Sequence, residues 1–368
     1  MERIRFFFEM GFYIWPYLLV IFIYLLIFAF PKFFRKYLWY LVLSVIIFFG
    51  GFKDIMSPDF VRYEAMYRNY KALSFTSIEP FFIFLSSLLN SVHANFYAMS
   101  FINFLLTVLF VILGAKLLSK DYLYSFFIYL TIPGFFLNTF VEMRQTLGVA
   151  IFFFAIGLFL TGKKRVSWIF FIFASFVHYS AIFATALFFI VYRLLRKKYP
   201  MCYYLGFLTI GVLIGQLEIT KYILTLFLPV FPRKYWAYIF ASETVDPLKV
   251  TIYMLFCALL IFVFCYSTKK TDYYRNITIT QLNLLILGSF IIFSSHNPVI
   301  TRLAYYFLIF QLSVVPNILK SIRDPHERLL WLYLFTIYFL TQYVYGLFFI
   351  PIETGEFVFI PYRNILFK

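Results

Sequence analysis

The sequence predicts an all-α, polytopic integral membrane protein of about ten spans plus one broken helical hairpin. Three observations lead there. Hydrophobic residues make up 63% of the 368-residue chain and charged residues only 13%, where an ordinary globular domain carries about 25% charge. The apolar residues fall in stretches long enough to cross roughly 30 Å of hydrocarbon. The 32 Lys and Arg, against 16 Asp and Glu, lie in short runs between those stretches, as membrane topology signals do. A nucleic-acid partner is therefore not expected; the lipid bilayer is.

The stretch 12–30 opens the series and carries no small-residue cleavage site, so it reads as a retained span. Further spans are expected at 37–52, 94–118, 122–140, 145–161, 202–218, 248–267, 277–295, 302–319 and 329–350. No repeat, Gly/Ser linker or soluble domain interrupts them, and residues 1–368 read as one transmembrane domain. The longest polar interruptions are 53–79 and 219–247. Cys202, Cys257 and Cys265 sit in apolar stretches without metal-ligand spacing, and the four histidines at 93, 178, 296 and 326 are scattered. No metal and no cofactor is expected.

Val166–Tyr192 is too long for a simple span, about 40 Å as one helix. Basic runs flank it, "GKKR" at 162–165 and "RLLRKK" at 193–198, and the positive-inside rule puts both in the cytoplasm. Two half-helices meeting near His178 satisfy that rule where one tilted span does not. With the break, Lys and Arg predominate inside. Of the acidic residues only Asp121, Asp272, Asp324 and Glu327 then fall there. Both termini and the loops 53–93 and 219–247 are expected outside.

This topology gathers the unusual residues on the outer face. Arg144 starts an inward-running helix, where its charge adds to the positive end of the macrodipole. Arg302 is expected to repeat that arrangement at the start of 302–319. Two arginines beside free backbone N–H groups suit an anion; the alternative pairs Arg144 with its neighbour Glu142 and lets Arg302 snorkel to the interface. Glu79-Pro80 opens "PFFIFLSSLLN", too short to span and expected as an interfacial helix within 53–93. Glu79 at its lip is a candidate general base, or simply a charge that favours its own helix dipole. Asp59, Arg62 and Tyr63 of the first outer loop could meet sugar hydroxyls or phosphate, and His178 at the break could be a ligand or donor.

The order of these elements resembles the EpsG/Wzy-type bacterial polysaccharide polymerases. The likeness rests on Asp59 with Tyr63, Glu79-Pro80-x-Phe82, Arg144-Gln145, Ala174-Ser-x-x-x-His178 after a basic turn, Arg302 opening a late span, and a terminal Pro361-Tyr362. "SPDF" stands where that family commonly has a Gly-rich "GxDY". The resemblance implies a GT-C-like membrane glycosyltransferase. It would join undecaprenyl-diphosphate-linked repeat units into a surface polysaccharide at the outer face of the bacterial inner membrane, without a metal. It also implies a chain-length regulator protein as partner. Glu79, Asp59 and His178 would be catalytic. Arg144, Gln145, Arg302, Arg62, Tyr63 and Tyr362 would bind diphosphate and sugar. A lipid-linked oligosaccharide flippase and a polysaccharide O-acetyltransferase are the competing readings.

Overall fold

A computed structural model describes residues 17–22, 24–26, 32–54, 58–75, 78–226, 247–266, 274–295, 297–348 and 362–367. Most of the first expected span, most of 219–247, and Pro361 lie outside the described residues. Within them the chain is helical throughout, apart from one isolated bridge between Lys53 and Asn364. Five helices are long and apolar enough to cross a membrane: Phe96–Leu118, Met143–Leu160, Asn276–Ser294, Ile300–Ser321 and Pro325–Phe348. Shorter apolar helices stand beside them, at Pro80–Ser91 and Met201–Gln216 among others.

We label α1 Lys32–Gly51, α2 Pro58–Arg68, α3 Pro80–Ser91, α4 Phe96–Leu118, α5 Tyr122–Thr131 and α6 Met143–Leu160. Next come α7 Lys164–Val177, α8 Ser180–Leu195, α9 Met201–Gln216, α10 Ile219–Leu226, α11 Pro247–Tyr266 and α12 Tyr274–Ser294. The last three are α13 Pro298–Leu308, α14 Gln311–Ser321 and α15 Pro325–Phe348. Helix α6 is the hub. It is apolar all round, as a helix enclosed by others must be, and from Gln145 to Ala150 every residue is buried. Its neighbours pack edge-to-face through phenylalanines: Phe153 meets Phe310 at 5.4 Å, and Phe152 meets Tyr306 at 5.4 Å. Gly288 of α12 lets α13 approach so closely that an added Cβ would lie 2.9 Å from the Leu308 nitrogen, as small residues do where membrane helices cross.

The expected hairpin is present. Helices α7 and α8, about 21 and 24 Å long, are each shorter than the hydrocarbon core. They fold back on one another, with Trp168 near the start of α7 stacked on Phe189 in the second half of α8 at 4.6 Å. His178 between them is extended, with φ −153° and ψ 123°, and its N–H still closes the last turn on the Ala174 carbonyl at 2.9 Å.

One expected span is corrected. Residues 122–140 do not form one helix. Helix α5 stops at Thr131, Pro133-Gly134 turns the chain, and a 3-10 turn follows at Leu137–Phe140. The expected span 302–319 is present within Ile300–Ser321, with a two-residue turn at 309–310 between α13 and α14. Pro316 lies inside α14, where it has no N–H and crowds the carbonyl four residues back, next to the division.

The bundle's two ends differ chemically. At one end uncharged polar groups close the helices: Asn317 and Gln281, both fully buried, donate to the Leu118 carbonyl at 2.8 and 2.9 Å. Asn283 likewise donates to the carbonyls of Leu195 and Lys197 at the exit of the hairpin. That end also carries the Lys320–Asp121 ion pair at 3.1 Å; at the other end lie Glu79, Glu142, Arg144, Arg302 and the hairpin's tip.

That second end is braced by Lys53, a residue not singled out from sequence. It follows α1, is 1% exposed, and donates its amine to the Thr139 carbonyl. The rings of Phe140 and Phe104 lie 4.9 and 5.5 Å away. Burial lowers its pKa from 10.5 to about 7. Between about 7 and 10.5 the unfolded chain therefore binds more protons here than the folded one, so stability rises with pH across that window, by at most about 1.4 kcal/mol per unit. In detergent-solubilised protein the melting temperature is expected to climb from pH 7 to pH 9, and Lys53→Met is expected to flatten that climb.

Candidate functional site

Five segments distant in sequence converge at the hairpin's end. Glu79 is the N-cap of α3, extended at φ −65° and ψ 142°, with Pro80 at the first helical position. Its carboxylate does not cap its own helix. It reaches away instead: one oxygen accepts from Arg144 Nη1, and the other lies 2.6 Å from His178 Nδ1. Burial raises this carboxyl's pKa, but the His178 hydrogen bond and the charges of Arg144 and His178 outweigh it and hold the pKa at about 2. Glu79 is thus an anion with both oxygens engaged.

Arg144 is the second residue of α6, where the sequence places it. Its guanidinium lies 4.9 Å from the Tyr63 ring and 5.6 Å from the Phe82 ring, the geometry of cation–π contact. Its Nε is buried with no hydrogen-bond partner among the described residues. The suspected pairing with Glu142 is not found. Glu142 pairs with Arg302 instead, Oε1 to Nη2 at 3.3 Å.

His178 is fixed from several sides. Tyr179 beside it donates its hydroxyl to the carbonyls of Phe75 and Ile78, the latter at 3.3 Å, tying the hairpin's tip to the segment that carries Glu79. Ser180 donates to the Tyr306 hydroxyl at 3.1 Å. A Cβ on Gly148 would lie 3.0 Å from that hydroxyl oxygen and 3.1 Å from His178 Cβ; a hydrogen at this position lets the tip settle onto α6.

The remaining expected residues divide. Gln145 is buried and donates to the Arg302 backbone carbonyl at 3.2 Å. Tyr63 is buried against Arg144. Asp59, on α2, is close enough for its charge to bear on Tyr63 and Glu142. Arg62 is exposed. Arg302 requires a correction: α13 begins at Pro298, so Arg302 stands a turn inside the helix and not at its free N–H groups. Tyr362 belongs elsewhere. It donates to the Phe49 carbonyl at 2.7 Å and packs on Tyr17 and Phe49, anchoring the C-terminal segment to α1 beside Lys53. Adjacency in "EMRQ" suggests a local pair for Glu142, which conceals its place beside Arg302. Among the described residues, no three His, Cys, Asp or Glu side chains gather to hold a metal ion.

A many-helix apolar bundle with a helical hairpin and a buried charged cluster at one rim defines a polytopic membrane protein. The sequence model of the EpsG family matches residues 36–364, and the chain belongs to that family. Membership implies a polysaccharide polymerase-type function in the membrane. No curated protein and no solved structure matches the chain.

Proposed function

We propose that this protein joins undecaprenyl-diphosphate-linked oligosaccharide repeat units into a surface polysaccharide at the outer face of the bacterial cytoplasmic membrane. The observation that carries the reading is the meeting of Arg144 and Arg302, remote in sequence, at one end of the bundle beside Glu79, Glu142 and His178. An acceptor hydroxyl attacks the anomeric carbon of the donor, the bond from that carbon to the diphosphate oxygen breaks, and the acceptor's proton passes to a base. Charge then grows on the leaving diphosphate. Arginine is suited to it because its planar fork binds two phosphate oxygens at once. The unpartnered Nε of Arg144 is a donor held ready for such an anion. Glu79 fixes both Arg144 and His178, which is pre-organisation of the kind that favours charge developing in a transition state.

The position of the charges speaks against the two rivals. A flippase needs cations inside a cavity reaching mid-bundle, whereas the site's two arginines stand at the rim, one two residues into α6 and the other a turn into α13. An acetyltransferase with a cytoplasmic donor needs a reactive group at the opposite end, where His326 is the only histidine among the described residues. The test is reconstitution in liposomes with lipid-diphosphate-linked repeat units. A ladder of polymer lengths is expected; movement of units across the bilayer, or acetyl transfer, without a ladder overturns the reading.

A further inference from the structure

We infer that Glu142 is the proton acceptor of the transfer reaction, and that its protonation hands Arg302 over to the leaving diphosphate. The inference rests on the polymerase reading above.

Comparison of the two acids selects it. The Glu79 side chain is 6% exposed, and Arg144 and His178 occupy both its oxygens. That of Glu142 is 20% exposed and uses one oxygen, on Arg302; the other has no hydrogen-bond partner among the described residues. Glu142 also lines a small cavity, with room for about one water, together with Gln145, Thr146, Tyr129, Gly134 and Tyr305. The Tyr129 hydroxyl in that lining is buried with no hydrogen-bond partner among the described residues. An incoming hydroxyl can reach a free, partly exposed carboxylate oxygen on Glu142, and Glu79 offers none.

Proton affinity agrees. Burial raises the pKa of Glu142; the charges of Arg302 and His178 lower it and that of Asp59 raises it, and the net direction is upward. Glu79 is held at about 2. A base works best with a pKa near the operating pH, so Glu142 is the better acceptor of the two. The titratable and charged groups around it are Arg302 from α13, His178 from the hairpin's tip, Asp59 and Tyr63 from α2, and Tyr129 and Tyr305 across the cavity.

The charges then balance through the step. Before reaction Arg302 is neutralised by Glu142. When the acceptor's proton moves to Glu142, that carboxylate becomes neutral just as the diphosphate gains negative charge, and Arg302 is left with one partner, the leaving group. The diphosphate is already anionic in the donor, so this interaction strengthens in the transition state as the charge grows and Arg302 loses its other partner, and strengthening there accelerates a reaction.

The experiment measures initial rates against pH in proteoliposomes supplied with undecaprenyl-diphosphate-linked repeat units. Wild type is expected to lose activity as the pH falls, with a midpoint above the ordinary glutamate value. Glu142→Gln should lower the rate about 10²–10⁴-fold and abolish that limb. Arg302→Ala should be slow but keep a limb, moved to higher pH because the charge that favours ionised Glu142 is gone. Should Glu142→Gln fail to fold, Glu142→Asp decides: a reduced rate with the limb retained supports the inference, and an unchanged rate overturns it. Wild-type rate, or an unaltered limb, in Glu142→Gln also overturns it. A wild type that forms no polymer at any pH overturns the polymerase reading instead, so the two failures are distinct.

Discussion

Arg144→Lys is expected to lower polymer formation by about 10²–10³-fold, the scale of losing one donor to a developing anion, while protein abundance in the membrane stays normal. An ammonium still opposes the charge of Glu79, so the buried carboxylate keeps a counter-ion. It cannot present two parallel donors to a diphosphate, nor lie flat between the rings of Tyr63 and Phe82. The comparison is made at matched abundance, by the length of the glycan ladder. Ladders of normal length from Arg144→Lys would remove Arg144 from the site and leave it a structural arginine.

The second large effect is on stability. Glu79→Ala leaves Arg144 without its carboxylate; the two side chains are 17% and 6% exposed. Removing one member of so enclosed a pair costs about 3–5 kcal/mol, because the charge left behind has little water to turn to. Abundance and melting temperature should both fall. Glu142→Ala should be milder, since Arg302, at 38% exposed, retains contact with solvent. Equal destabilisation by the two substitutions would mean that Glu79 is no more enclosed than Glu142. The sign with pH follows from the lowered pKa of Glu79: its contribution is complete above about 4.5 and is lost as the pH falls toward about 2.

Much of the fold was legible because a bilayer imposes one solution on an apolar chain: helices with every backbone group satisfied inside them. The hairpin was legible for a different reason. Basic runs on both sides of Val166–Tyr192 could share one side only if the helix broke, and His178 stands at that break. The interruption at 131–137 is written as Pro133-Gly134, but the apolar composition of 122–140 by itself reads as one span. Of the site, Arg144, Glu79 and His178 could each be selected singly, since each is a polar residue at the lip of an apolar element. Their mutual arrangement could not, because ion pairs are decided by how segments remote in sequence pack. Proximity along the chain suggested Arg144 with Glu142, and packing gave Arg144 with Glu79 and Arg302 with Glu142. Tyr362 shows the same limit: a polar aromatic near the end of the chain says nothing of which neighbour it will meet.

The exchanged partners also set an order in time. Arg144 follows Glu79 by 65 residues, and His178 follows Glu79 by 99, so that triad is complete as soon as the hairpin has been made. Glu142 must wait for Arg302, 160 residues later (302 − 142). At about 5–20 residues per second of synthesis, the delay is roughly 8–32 s. A nascent chain halted after His178 and before Arg302 holds half the charged cluster in its final form, with the Glu142 carboxyl still lacking its arginine. The two halves of the site are therefore finished at different moments of biogenesis, and the later one is closed only when α13 is in place.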